Sequence, residues 1–247
     1  MMRRMQLALA LVAALPGIAA AGDWDGTGEL GYAMARGNSD TETFNAAVKG
    51  KKEDGAWLYE ANVAALYAQG DVKVQRADGS TTSEGASTAN RYDLGGKVGY
   101  KFSERGYVFG SGRYDHDQFA PLDWQTVVSA GYGQRLVKND TSELSFEVGP
   151  GLRQFHEVAV GRQGADAVGR GALNFKHKLT GTTELGNTLL VESGQNRTYV
   201  QNDIGAQVKL NSRLALKSGL QIRYHSDAPP GTAASDTLLT TNVVLGF

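Results

Sequence analysis

The sequence predicts an all-β protein: a closed, antiparallel, up-and-down transmembrane β-barrel of about twelve strands. Three observations predict it. The last nine residues, LTTNVVLGF, alternate with a period of two and finish on Phe247. Phe247, Leu245, Val243, Thr241 and Leu239 share one face; the smaller, partly polar set Gly246, Val244, Asn242, Thr240 and Leu238 shares the other. That period is a strand, and a closing strand with one face for lipid and one for a lumen is how an outer-membrane barrel completes its sheet. Next, apolar and charged residues alternate in segment after segment, a signal weak singly and strong in sum. Finally, tight turns alternate with longer connections along the chain, as a barrel with both ends on one side requires.

Residues 1–21 read as a signal peptide. Arg3 and Arg4 precede the apolar stretch LALALVAALPGIAA, which is too short, and broken by Pro16, for a confident span. Ala19 and Ala21 sit at the spacing a signal peptidase reads, which puts cleavage after Ala21 and leaves 22–247 as the barrel. The alternative is an N-terminal membrane anchor. The rest of the composition fits export to the outer membrane. Cysteine is absent, which removes disulfides, thiolate metal sites and thiol nucleophiles. The net charge is −1, so there is no basic footprint for nucleic acid. Mean hydropathy is −0.33, which a membrane barrel tolerates because its apolar residues alternate.

The strands follow in order. Trp24–Met34 ends at the turn ARGNSD. Thr41–Lys52 sets Phe44, Ala46 and Val48 against Asn45, Lys49 and Lys51 and ends at EDG. Ala56–Val74 alternates through Trp57, Tyr59, Val63, Ala65 and Tyr67. The polar stretch Gln75–Asn90 reads as a mobile loop. Arg91–Phe102 sets Tyr92, Leu94, Val98 and Tyr100 against Arg91, Asp93, Lys97 and Lys101. In Gly106–Asp117 the two faces stay undecided, because Tyr107 and Phe109 compete with Val108 and Tyr114 for the outside. Trp124–Val137, Ser142–Phe155, Ala165–Leu179, Thr183–Val191, Thr198–Leu210 and Arg213–His225 restore the alternation, and SDAPPGTAAS leads to the last strand. The tight joins are EDG, SERG, KNDT, TGT and NS. The looser ones are Gln75–Asn90, Gln118–Asp123, Glu157–Gly164, Ser193–Arg197 and Ser226–Ser235.

A soluble lipocalin-like barrel shows the same alternation turned inside out. The terminal aromatic, the leader and the strand count select the membrane form. Lipid then faces the apolar side, with Trp57, Tyr59, Tyr67, Trp124, Tyr132 and Tyr224 placed as interfacial aromatics.

Two stretches carry a family likeness. GELGYAMARGNSDTETFN near the start, and RYHSDAPPGTAASDTLLTTNVVLGF with its Asp236-Thr237 pair near the end, resemble the YdiY-like family named for salt-induced outer-membrane proteins, a domain of unknown function. GYGQRL and GPGLR in the middle are similar too. The resemblance implies an outer-membrane barrel and brings no catalytic residues with it.

Chemistry-bearing residues are sparse. The histidines are His116, His156, His177 and His225; no HExxH, GxSxG elbow or phosphate-cradling loop occurs, and no cofactor is implied. Asp115, His116 and Asp117 at an outer rim hold a carboxylate beside an imidazole, the minimum for activating water. They define the alternative of a barrel hydrolase; a solvated loop is the simpler account. Glycines Gly110, Gly112, Gly131, Gly133, Gly149 and Gly151 recur at a spacing of two. They read as places where the barrel bends and large side chains nest on bare backbone, with a bulge expected at Pro150.

Function is expected on the inward face. Its pore-lining candidates are Arg91, Lys97, Arg135, Glu147, Arg153, Arg170, Lys176, Lys209, Lys217 and Arg223. The two readings are a narrow pore for small solutes or ions, favouring anions, and a salt-bridged plugged barrel with a structural or envelope-stress role. The partners expected are outer-membrane lipid and, through the strand ending at Phe247, the barrel-assembly machinery.

Overall fold

The computed structural model describes residues 24–35, 41–75, 81–120, 122–158, 161–228 and 233–247, without the side chains of 34–35, 71–75 and 81–84. The expected signal peptide lies outside the described residues. Twelve strands form one sheet: β1 (Asp25–Ala35), β2 (Thr41–Asp54), β3 (Trp57–Gln75), β4 (Thr81–Lys101), β5 (Gly106–Asp117), β6 (Leu122–Lys138), β7 (Ser142–Glu157), β8 (Arg162–Lys178), β9 (Thr183–Gly194), β10 (Thr198–Lys209), β11 (Leu214–His225) and β12 (Ser235–Gly246). Each strand pairs antiparallel with its sequence neighbours, and β1 pairs with β12, so the sheet closes. Closure joins the two ends of the sheet over Thr27–Leu30 and Val243–Gly246, and a closed sheet satisfies its backbone internally, as lipid demands.

The tight turns share a local device. The Ser103 hydroxyl accepts from the Gly106 amide at 2.8 Å. Asn139 Oδ1 accepts from the Thr141 and Ser142 amides at 3.1 and 2.7 Å. Thr180 Oγ1 does the same for Thr182 and Thr183, and Asn211 Oδ1 for Arg213 and Leu214. A short polar side chain at the first turn position thus takes up amides that have left the ladder. Gly55, with φ +56°, supplies the left-handed residue in the remaining turn, between β2 and β3.

The expected loop Gln75–Asn90 is largely strand. β3 runs to Gln75, β4 begins at Thr81, and they pair along the whole length, from Trp57↔Tyr100 to Gln75↔Thr81. β2 stops pairing β3 at Gly70, and β5 stops pairing β4 at Arg91. Beyond those points the two strands pair only with each other, as a ribbon extending past the barrel wall. Cross-strand backbone pairing forms it without apolar alternation, which is why a hydrophobicity pattern misses it.

β5 is resolved in favour of Val108. Tyr107 is 5 % exposed and Val108 49 %, so Tyr107 and Phe109 point inward and Val108 and Tyr114 outward. Tyr107 lies over Gly133 of β6, where any Cβ would overlap its ring; this is the nesting the glycine pattern predicts. Gly131 and Gly149 approach back to back, each aimed at the other strand's carbonyls. Pro150 is not a bulge. Pairing runs from Ser129↔Gly151 to Tyr132↔Val148 with the register unchanged, and it lapses between them because proline has no amide to give. The irregularities of β6 fall instead between Leu122 and Trp124 and between Arg135 and Val137.

Outward residues are apolar and exposed, among them Leu94, Val128, Leu152, Ile204, Leu239 and Val243. Trp57 and Tyr100 (5.2 Å between centroids), Phe102 and Tyr132 (6.1 Å) and Tyr132 and Phe146 (6.2 Å) band the turn end. Tyr92 and Tyr114 (6.1 Å) stand at the other.

Candidate functional site in the barrel lumen

Contacts between strands that are not neighbours identify the inside, because such contacts must cross it. Arg113 of β5 pairs with Glu192 of β9, past β6, β7 and β8. Arg91 of β4 donates to Gln221 of β11 at 2.6 Å, and Arg223 of β11 reaches Asp93 of β4 at 3.4 Å, past β12, β1, β2 and β3. The interior is therefore the charged face.

In the half toward the tight turns, acids collect cations. Glu147 accepts from Lys97 at 2.5 Å, Arg170 at 2.9 Å and the Tyr107 hydroxyl at 2.8 Å. Lys97 also meets Glu60 at 2.9 Å. Glu53 binds Lys101 at 3.0 Å and pairs with Arg135. Glu29 holds Lys217 at 2.8 Å and lies within 3.3 Å of the Asn242 amide, which Asn45 joins at 2.9 Å. Yet this half is not filled. Lys49 is 56 % exposed and Glu60 54 %, although both face the lumen.

In the half toward the longer loops the lumen is packed. Arg113 is forked between Asp115 and Glu192 and lies 4.9 Å from the Tyr199 ring centroid. Tyr199 donates to Gln201, Gln201 and Gln221 both donate to Asp203, and Arg223 donates to Gln221 at 3.1 Å. Arg153, 1 % exposed, donates to the Glu192 carbonyl at 3.1 Å. Glu192 is 2 % exposed. Phe155, Val127 and Val168 fill the gaps. Such a network is costly to desolvate and costlier to leave half-paired, so it holds one arrangement rather than adding net stability. Above it, Phe155, Asp166, Asn196 and Arg197 help to line a rim cavity of about 340 Å³.

The sequence-predicted lumen residues divide. Arg91, Lys97, Arg135, Glu147, Arg153, Arg170, Lys217 and Arg223 are tied by the contacts above; Lys176 and Lys209 are exposed near the turn end. Sequence reasoning missed Arg113 and Glu192, and it read Asp115 as part of the outer-rim trio rather than as a lumen residue. Arg113 and Asp115 were lost with the undecided face of β5; the signal that finds them is Tyr107 over Gly133. The rim trio does not converge. Strand alternation sends Asp115 inward to Arg113 and Asp117 to Arg91 at 3.9 Å, while His116 packs outside on Tyr92, 4.8 Å between ring centroids. His116 and His156 instead flank Asp123 at 3.4 and 3.8 Å. Among the described residues no group of His, Asp and Glu is arranged to hold a metal ion.

Residues 28–247 match the family described as "Protein of unknown function, DUF481". The chain belongs to that family. A relative of this DUF481 protein is the uncharacterized protein YdiY of Escherichia coli K12, 23 % identical over 168 residues, 68 % of this chain and 66 % of that protein. The match thus spans just under two thirds of the relative's length. Among solved structures, an outer-membrane channel from Pseudomonas putida F1 superposes with a TM-score of 0.52 at 10 % identity, covering 91 % of this chain and 95 % of that one. The translocator domain of the autotransporter NalP from Neisseria meningitidis covers 97 % of both chains at a TM-score of 0.46 and 14 % identity. The fold of the DUF481 protein is that of an outer-membrane barrel.

Proposed function

We propose that this DUF481 protein is a non-catalytic barrel of the bacterial outer membrane that offers small ions a narrow path. It is exported by residues 1–21 and inserted by the assembly machinery through β12, with its tight turns in the periplasm. The observation that carries the reading is the exposure of Lys49 and Glu60 inside the closed sheet: that half of the lumen has room for water. Anions are favoured there. Among the described residues the exposed lumen cations Lys49, Lys51, Lys176, Lys178 and Lys209 face exposed Asp25, Glu53 and Glu60.

The test is the conductance and reversal potential of the refolded barrel in planar bilayers. The exposed set is the one to reverse, because Arg153 and Arg170 are bound into the packing and changing them disturbs the fold. Lys49→Glu, Lys51→Glu and Lys209→Glu together shift the reversal potential toward cations. The shift fades as salt rises, since the Debye length falls to about 3 Å at 1 M. A current indifferent to these charges counts against the pore. The second reading, a plugged barrel, draws on the packed half of the lumen and requires no current at any salt.

A further inference from the structure

We infer that the lumen is a cup, wide toward the tight turns and narrowed toward the longer loops to a constriction that only small ions pass, and that Arg113 is the residue that sets what crosses. The inference rests on the outer-membrane reading above and adds where the barrier stands. The inward residues that are more than half exposed, Lys49, Lys51 and Glu60, lie toward the tight turns, while Arg153, Glu192 and Arg223 are almost inaccessible and Glu147, 1 % exposed, stands at the floor of the open part. The kind of cation changes at the same level. The open half is lined mainly by lysine; in the packed half Arg91, Arg113, Arg153 and Arg223 carry the positive charge. A lysine is a point charge that water solvates easily, whereas a guanidinium fork can hold two acceptors at once and lie on a ring. Arg113 does all of this: it bonds Asp115 on its own strand and Glu192 across the interior, and it covers Tyr199. Glu192 in turn is backed by Arg153 through its carbonyl. One side chain thus ties β5 to β9 and β10, beside the Arg91–Gln221 and Arg223–Asp93 contacts that tie β4 to β11, and its removal opens a gap in that layer.

A solute coming from the loop side meets side chains already tied to one another, Arg113 to Asp115 and Glu192 and Arg223 to Asp93 and Gln221. A solute larger than a small ion that enters from the periplasm stops at Lys97 and Glu147. The barrier is therefore steric, and the anion preference of the lysine half acts only on ions that pass it.

The chain has no cysteine, so single cysteines report access without background. Lys49→Cys and, as an outside marker, the exposed loop residue Gln195→Cys are labelled with a membrane-impermeant maleimide in intact cells and in opened cells. The marker is labelled in both; Lys49→Cys is labelled only in opened cells. Adding Arg113→Ala raises the intact-cell labelling rate of Lys49→Cys at least tenfold. Glu192→Gln, which keeps the shape and removes the charge, raises it less. Heat-dependent gel mobility reports that each barrel is folded; if Arg113→Ala loses it, Glu192→Gln carries the test. Labelling of Lys49→Cys from outside without a second change overturns the seal. So does a folded Arg113→Ala barrel that still protects Lys49→Cys. A marker unlabelled in intact cells overturns the location and orientation instead, so the two failures are distinguishable.

Discussion

Phe247 and Gly26 exchange both backbone hydrogen bonds across the seam that closes the barrel, Gly26 N to Phe247 O at 2.9 Å and Phe247 N to Gly26 O at 3.0 Å. The phenyl ring lies over Gly26, in the space a Cβ would take. β1 and β12 share a short register, Thr27↔Gly246 to Leu30↔Val243, so this pair extends the contact that joins the two ends.

Gly26→Val therefore displaces the ring and weakens closure, as does deletion of Phe247. Both lower the fraction of heat-modifiable barrel recovered on refolding. Asn242→Ala is also felt, because Asn45 and buried Glu29 lose a partner, at about 1–3 kcal/mol for an unsatisfied buried group. Normal refolding of Gly26→Val argues against the seam as the weak point.

The two faces differ in tolerance. Ile204 is outward, exposed and central in β10, so Ile204→Arg costs about 2–4 kcal/mol near the membrane midplane and cuts the yield of folded protein. Lys209→Glu, on the open lumen side, leaves the yield unchanged. Lys217→Glu is not a neutral control, since it sets a second acid against Glu29. Chemical denaturation in detergent micelles ranks the three, and a tolerated Ile204→Arg means the faces are reversed.

Glu147 is the acceptor for two cations and a phenol. Glu147→Ala leaves Lys97 and Arg170 uncompensated in a low-dielectric interior and costs about 3–5 kcal/mol. Glu147→Met/Lys97→Met/Arg170→Met, which removes all three charges, recovers much of the loss. Denaturation midpoints of the single and triple variants decide it: a triple variant no better than the single one removes the charge argument.

Gly133 and Gly171 give a matched pair. A Cβ at Gly133 collides with the Tyr107 ring, whereas nothing lies within 4 Å of one at Gly171. Gly133→Ala destabilises by about 1–3 kcal/mol through overpacking, and Gly171→Ala stays within about 0.5 kcal/mol. Equal effects would show that Tyr107 is not seated on β6.

The sequence alone determined the sheet and most of its faces. Alternation such as Tyr92–Asp93–Leu94 or Val208–Lys209 is a local property of the backbone, because successive side chains of a strand must point opposite ways. Turn residues such as Asn139 and Asn211 act within three residues of themselves, so the strand order and tight joins were legible as well. Where local pattern was silent, tertiary structure decided. The β3–β4 ribbon stands on pairing between strands, not on apolar alternation. β5 places two aromatics inside because Gly133 leaves room for Tyr107, a fact written on another strand. The three consecutive residues Asp115, His116 and Asp117 suggested a cluster that alternation takes apart, and His116 instead meets Asp123, which His156 flanks from the other side. The packed half of the lumen was the least legible feature. Arg113 and Glu192 are far apart in sequence and face each other only because twelve strands close into a ring, and no one-dimensional pattern encodes which inward charges a closed sheet will bring together.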